Sequence, residues 1–440
     1  MNIAFVPIDN RPVCYDLVKD IISIDKSLNI FLPPIETLGD LKKKADFTEI
    51  LKWLNSCKNC DTIILSLDTI AYGGLVASRR SSESFEEIKS RLDILKQILL
   101  DKKARVYAFS SIMRISNNNY NEEEKEYWSK YGKKIFEYSF SGGKNKSDIP
   151  ENILEDYLKT RKRNFEINKL YLDWQKQGLF DTLIFSKDDC AEFGFNIDEA
   201  KELEQLGAKT KTGADEIPLS LLSRAIKKAI KVFIKYTEPK YKDLISNYED
   251  VSIEQSVLGQ LDLCEFKIAD EEDNADIVLV VNNFVQKQGE LVMDWDTGNY
   301  EINFTPPNKP YCIADVRYAN GADNKLVEQV LPQIDLENFY GYAGWNTSAN
   351  TIGSLLATIK VRYNAMQYDK EAFNKLQIIR FLDDWAYQAN VRKLIDKPCN
   401  ISNLMNTYEK KVLKTFNKNT KFYFNYIYPW NRKFEIRITF

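Results

Sequence analysis

Short apolar runs alternate with longer amphipathic stretches along most of this chain. The first half carries NIAFVPI, LNIFLPP, DTIILSL, ARVYAFSS, DTLIFSK and AKTKTG as strand-like segments. SFEEIKSRLDILKQILLDK, between two of them, repeats apolar residues at spacings of three and four, which predicts a helix. A second series follows LSLLSRAIKKAI: KVFIKYTE, a helix around Ser252 to Leu263, then ADIVLVVNN, PYCIADV and FYGYAGWN. QKQGELVMDWDTGNYEINFTPPNKP is expected as a hairpin or loop. From Ala357 the pattern turns helical, with FLDDWAYQANVRKLI as its clearest amphipathic stretch. The alternating FYFNYIYPWNRKFEIRITF predicts terminal strands.

Strands alternating with helices predict an α/β fold with parallel sheets. The expected organisation is an N-terminal α/β domain over 1–228, with a charged and aromatic helical insert at 117–178 placed over a sheet edge. A second α/β domain spans 229–356 and a helical tail with terminal strands 357–440. An irregular (β/α)8-like barrel is the alternative, disfavoured by uneven strand spacing. A chain of 440 residues exceeds what one core usually covers.

Lys and Arg number 61 against 64 Asp and Glu, leaving a net charge of −3 and no electrostatic pull toward nucleic acid or membrane. No run approaches the roughly 18 apolar residues of a membrane span. The chain opens on a strand without a secretory signal pattern, and its seven scattered cysteines fit a reducing compartment. A cytoplasmic location is therefore expected. Cys57-x-x-Cys60 has no second pair to complete a zinc site, which leaves a redox pair as its one chemical reading.

Four apolar runs end in aspartate: Asp9, Asp68, Asp188 with Asp189, and Asp315. A buried strand has no use for a carboxylate, so these acids are expected at the C-terminal edges of strands, where α/β proteins build their sites. PIDNRPV adds Asn10 and Arg11 between prolines, with a local ion pair as the plain alternative. LSLDTIAYGGLVASRR adds Tyr72, the Gly73–Gly74 pair and Arg79; Arg114 follows another strand. Of Asp188 and Asp189, one is expected to face the site and the other to cap the next helix, because neighbours in extended chain point opposite ways. Asp215 and Glu216 precede an apolar helix, where capping competes with a site role. ADVRYANGAD adds Arg317, Asn320 and Asp323. In GWNTSAN, Trp345, Asn346 and Asn350 suit a sugar ring, stacking beneath and amides at the rim; a buried tryptophan is the alternative.

The succession PIDNRP, SLDTIAYGGLVASR, KDDCAEFG, GADE, ADVRYANGAD and GWNTSANTIG resembles the bacterial family catalogued as domain of unknown function 4127. The resemblance spans nearly the whole chain. Family members usually carry glutamate or serine where this chain has Asn10. The resemblance implies that these motifs are the family's signature and identifies no reaction.

With no histidine, imidazole triads and H-E-x-x-H zinc sites are excluded. Glycoside hydrolysis runs on two carboxylates alone. The expectation is thus a carbohydrate-active hydrolase, glycosidase-like, acting on a small glycan or glycoside. Asp9, Asp68, Asp188 and Asp189 are the catalytic candidates. Arg11, Tyr72, Arg79, Arg114, Glu216, Asp315, Asn320, Asp323, Trp345, Asn346 and Asn350 are the substrate-binding candidates. No cofactor is predicted. The alternative is a hydrolase or phosphotransfer enzyme using Mg or Mn, and the third reading a sugar-binding protein without turnover. The partner is a small molecule or glycan, with no nucleic acid and no membrane. Oligomeric state is not legible.

Overall fold

Every apolar run named above forms a strand, and all the main ones are parallel. In a computed structural model of the chain, residues 1–146, 148–226, 228–416 and 422–440 are described; position 227, inside LSLLSRAIKKAI, lies outside them. The chain divides into two units. Unit 1 comprises Met1–Tyr15, Leu28–Leu221 and Tyr248–Asp250; unit 2 comprises Asp16–Ser27, Leu222–Asn247 and Val251–Phe440.

The first stretch of chain runs β1 (Asn2–Val6), α1 (Pro12–Ile22), β2 (Asn29–Phe31), α2 (Phe47–Ser56), β3 (Thr62–Ser66), α3 (Leu67–Ala71), α4 (Leu75–Arg80), α5 (Phe85–Asp101) and β4 (Arg105–Ile112). It continues through α6 (Trp128–Phe140), α7 (Glu151–Lys176), β5 (Thr182–Lys187), α8 (Phe195–Gln205), β6 (Thr210–Thr212) and α9 (Ile217–Ala225). The strands form one parallel sheet in the order β2-β1-β3-β4-β5-β6. Helix α5 follows its sequence pattern: Ser84 and Glu87 form a capping box, and Ile88, Leu92, Leu95 and Leu99 turn into the core. The 117–178 stretch holds two helices with different roles. Helix α6 joins a satellite cluster with Met113, Trp128, Ile135 and Leu154. Helix α7 buries Ile167, Tyr171, Leu172 and Trp174 in the main core as the crossover between two central strands.

Unit 2 holds β7 (Lys231–Tyr236), α10 (Ile253–Leu263), β8 (Lys267–Ile268), β9 (Ile277–Asn282), β10 (Gly289–Glu290), β11 (Tyr311–Asp315), β12 (Tyr318–Ala319), α11 (Asn324–Val330) and β13 (Phe339–Ala343). After them come α12 (Ser348–Asn364), α13 (Lys370–Arg380), a π-helix (Phe381–Val391), α14 (Ser402–Thr415) and the antiparallel pair β14 (Asn425–Ile427) and β15 (Arg437–Thr439). Its main sheet has the order β13-β11-β9-β7-β8, again all parallel. Counted within the unit, the strands run second, first, third, fourth, fifth, which is the order of the first five strands of unit 1. Helix α12 passes residue 357 unbroken and buries Ile352, Leu355, Leu356 and Ile359 beside the sheet. FLDDWAYQANV is not amphipathic in place: nine of its eleven residues are buried, Asp384 and Gln388 among them. Among the described residues, no helix is long and apolar enough to cross a membrane.

Both strand orders reverse direction once, between β1 and β3 and between β7 and β9. At such a switch point the connections leave toward opposite sides, and a crevice opens outside the carboxyl ends of the strands.

Candidate functional site

The ends of β1, β3, β4, β5 and β6 bring most of the predicted acids of unit 1 to one edge. Asp9, three residues beyond β1, accepts from the Arg11 backbone at 3.0 Å and from its Nε at 2.9 Å. The other side of that guanidinium grips Asp215, with Nη1 and Nη2 at 3.1 and 2.6 Å. All three side chains are buried. Cys14 lies against the same group, its Sγ 3.7 Å from Arg11 Nη2 and 3.8 Å from Asp215. Arg11 thus reaches a residue 204 positions away, and the local ion pair is one half of a larger clamp. Asp215 belongs to the site and does not cap α9. Burial raises its pKa and Arg11 draws it back.

A second guanidinium cluster lies at the ends of β4 and β5. Arg114 meets Glu124 with Nε at 3.0 Å, Glu123 with Nη2 at 3.0 Å, and Asp189 with Nη1 at 2.7 Å. Asp188 lies 3.8 Å from the same Nη1 and 3.3 Å from Arg79. Arg79 also approaches Glu123 and Glu124. Asp188 and Asp189 therefore share one arginine, contrary to the expectation that one would cap α8, whose N-cap is Gly194. The reason is local: Asp189 adopts φ 38°, which breaks the alternation of extended chain and swings its carboxylate round. Burial and then the neighbouring Asp188 charge push Asp189 up to about 6, while 36% of its side chain stays exposed. Burial also raises Asp188, against the pull of Arg114 and Arg79.

Asp68, Tyr72 and Glu216 do not face this cluster. Asp68 is fully buried and ties β3 to β4, accepting from the Ser111 backbone at 2.8 Å and from Ser110 Oγ at 3.3 Å. Burial pushes it up to about 6. Tyr72 is a core residue with Arg163 over its ring. Glu216 turns back onto the Ala214 backbone at 3.1 Å, and burial holds its pKa well above the usual range. Asn10 donates its backbone N–H to Gly39. Cys57 and Cys60 are free thiols at the opposite, N-terminal edge of β3; burial pushes Cys57 up to about 11, away from the thiolate a redox pair needs.

The remaining candidates lie in unit 2, at the equivalent edge. Asp315, the last residue of β11, accepts from Asn282 at 2.8 Å, from the Asp323 backbone at 2.8 Å and from Tyr342 Oη at 2.9 Å. Burial and the Asp323 charge push it up to about 7. Asp323 caps α11, binds Tyr300 Oη at 2.8 Å and lies 3.1 Å from Arg317 Nε. Asn320 donates to Glu290 at 2.5 Å. Asp384 of the π-helix accepts from Gly344 N–H through its side chain and from Ala322 N–H through its carbonyl, so one residue fixes both loops. Trp345 is 3% exposed and tilted against Phe434, so its ring offers no open face for stacking. The Asn346 carbonyl accepts from the Asn320 backbone, and Asn350 donates to Thr347, the N-cap of α12.

Sequence reasoning passed over Glu123 and Glu124, set aside Asp215, and gave no role to Asn282, Tyr300 or Tyr342. The glutamates sit in NEEEKE, which reads as a solvated charge run. Its place in the connection that follows β4, which starts at the carboxyl edge, was the available signal.

The acids do not converge as ligands would around a divalent cation. The acids of the Arg11 and Arg114 clusters each meet a guanidinium, and among the described residues no three carboxylate or cysteine side chains form a metal-holding group. Mg or Mn does not fit this donor set. No curated protein and no solved structure matches the chain. The family described as "Protein of unknown function (DUF4127)" matches residues 3–439. A match over nearly the entire length shows that this chain belongs to that family.

Proposed function

We propose that the protein hydrolyses a glycosidic bond in a small glycan or glycoside, with Asp188 and Asp189 as the working pair. The observation that carries this reading is Asp189: a strand-end carboxyl, a third exposed, whose proton is held to about 6 beside a second acid. A general acid needs a pKa near the working pH and access to the leaving group. Asp189 donates its proton to the leaving oxygen. Asp188, between Arg79 and Arg114, attacks or stabilises the anomeric carbon as its carboxylate. Both acids reach one guanidinium nitrogen, within 2.7 and 3.8 Å, so they lie no farther apart than roughly the 6.5 Å at which inverting pairs begin. The reading therefore implies retention of anomeric configuration.

Charge favours a neutral substrate. Asp9, Asp215, Asp188, Asp189, Glu123 and Glu124 surround Arg11, Arg79 and Arg114, two acids for each guanidinium. A phosphorylated substrate would enter a surplus of negative charge, which weighs against the phosphotransfer alternative.

A panel of aryl glycosides tests this with the full chain in chelator. Cleavage should persist, and Asp189→Asn should lower kcat by about 100-fold or more. Fresh product should keep its configuration by NMR. A protein stabilised by sugars that releases no product would be a binder. Cleavage of an ester only after metal loading would replace the glycosidase reading altogether.

A further inference from the structure

We propose that unit 2 carries a separate binding site for a neutral, polyhydroxylated ligand, anchored on Arg317 at the switch point of its sheet. Nothing in this inference depends on the hydrolase reading. Arg317 lies two residues beyond β11, and its side chain is fully buried. Its Nη2 donates to Thr237 Oγ1 at 3.2 Å and to Asn282 Oδ1 at 3.0 Å, and lies 3.6 Å from Glu238. Its Nη1 has no hydrogen-bond partner, and its Nε, though close to Asp323, makes no aligned bond. A buried guanidinium with unmet donors is costly to keep, so an acceptor arriving there gains what the fold leaves undone.

Local charge selects the acceptor. Asp323 and Glu238 flank the single arginine, with Asp315 behind them. An anion would meet these acids, whereas a hydroxyl accepts from Nη1 and gives its own proton to a carboxylate. The cover over the site is aromatic. Tyr300 stacks on the guanidinium at 4.1 Å and is half-buried, so it forms the solvent-side cover of Arg317. On the same connection Trp295 is 48% exposed, yet its backbone is tied twice to Glu290 at 2.8 Å. An exposed indole on this tethered connection suits the C–H face of a sugar or polyol, the role that buried Trp345 cannot fill.

The test titrates the full chain with millimolar glucose, N-acetylglucosamine and sorbitol, and with glucose 6-phosphate as the charged arm. At least one neutral probe should raise Tm by about 2 °C or more and change tryptophan emission. Trp295→Ala, an exposed change that leaves folding intact, should weaken that response at least threefold, and Arg317→Met should abolish it. If Arg317→Met does not fold, Tyr300→Phe takes its place, with a measurable change in affinity expected. Loss of the response in Trp295→Ala and in the Arg317 or Tyr300 variant places the signal in unit 2. The inference is overturned if no neutral probe acts, if only glucose 6-phosphate does, or if binding is unchanged in both Trp295→Ala and the Arg317 or Tyr300 variant.

Discussion

Asp68 stands where a catalytic acid would be expected and works as a structural tie. Burial raises it to about 6, so within the fold it binds a proton more tightly than in the unfolded chain. The sign follows: its charge costs stability as pH rises from about 4 through 6, by on the order of 3 kcal/mol once fully ionised. Asn at this position keeps an acceptor for the Ser111 backbone and never ionises. Asp68→Asn should therefore be more stable than the parent at pH 8 and lose most of that advantage by pH 4, read by urea unfolding at both. Equal destabilisation at the two pH values would show that the carboxylate itself, charged, is what the site needs. Asp68 and Asp215 also mark the limit of reading residues singly. An acid after a strand is visible in the sequence, but the arginine that claims Asp215 lies 204 positions away.

At the scale of elements, the inner strands β1, β3, β4, β5, β9 and β11 were readable because they are buried on both faces and so appear as unbroken apolar runs. Turns with specific contacts were only half readable. Gly73 and Gly74 signal a tight turn, and the structure shows what the turn is for: the Gly73 carbonyl accepts from Ala45 N–H and fixes the 37–45 loop. Gly73 has φ 95°, and a Cβ there would lie 2.7 Å from Lys44 Cβ and 2.9 Å from the Ala45 nitrogen. Gly73→Ala should cost about 1–3 kcal/mol through strain and the displaced loop. Its Tm should fall accordingly, and an unchanged Tm would mean the loop is free to give way. The π-helix misled for a different reason. Its pattern was judged against a 3.6-residue period, while i to i+5 winding rotates the side chains and neighbours cover nearly every side.

Over the whole molecule the raised acids act together. Asp68 and Asp189 near 6 and Asp315 near 7 all hold protons more firmly in the folded state, and with no histidine in the chain no imidazole offsets them. Glu83 is held down to about 2 by Lys44, Ser81 and Arg91 against its burial, and Asp25 is lowered by backbone N–H groups. Those two contribute stability above about pH 4 that disappears as pH falls further. Tm should accordingly peak near pH 4 to 5 and decline by about pH 7; a Tm that rises steadily to pH 8 would contradict the burial of these acids. By itself the sequence determined the α/β class, the individual strands, the strand-end acids and the family, because each depends on local pattern: burial of a strand and the residue that ends it. Tertiary structure alone decided which acids share an arginine, which are locked away as ties, and that the candidates fall into two sets at two sheet edges. Those outcomes depend on strand order and on side chains meeting across hundreds of residues, for which a linear pattern carries no signal.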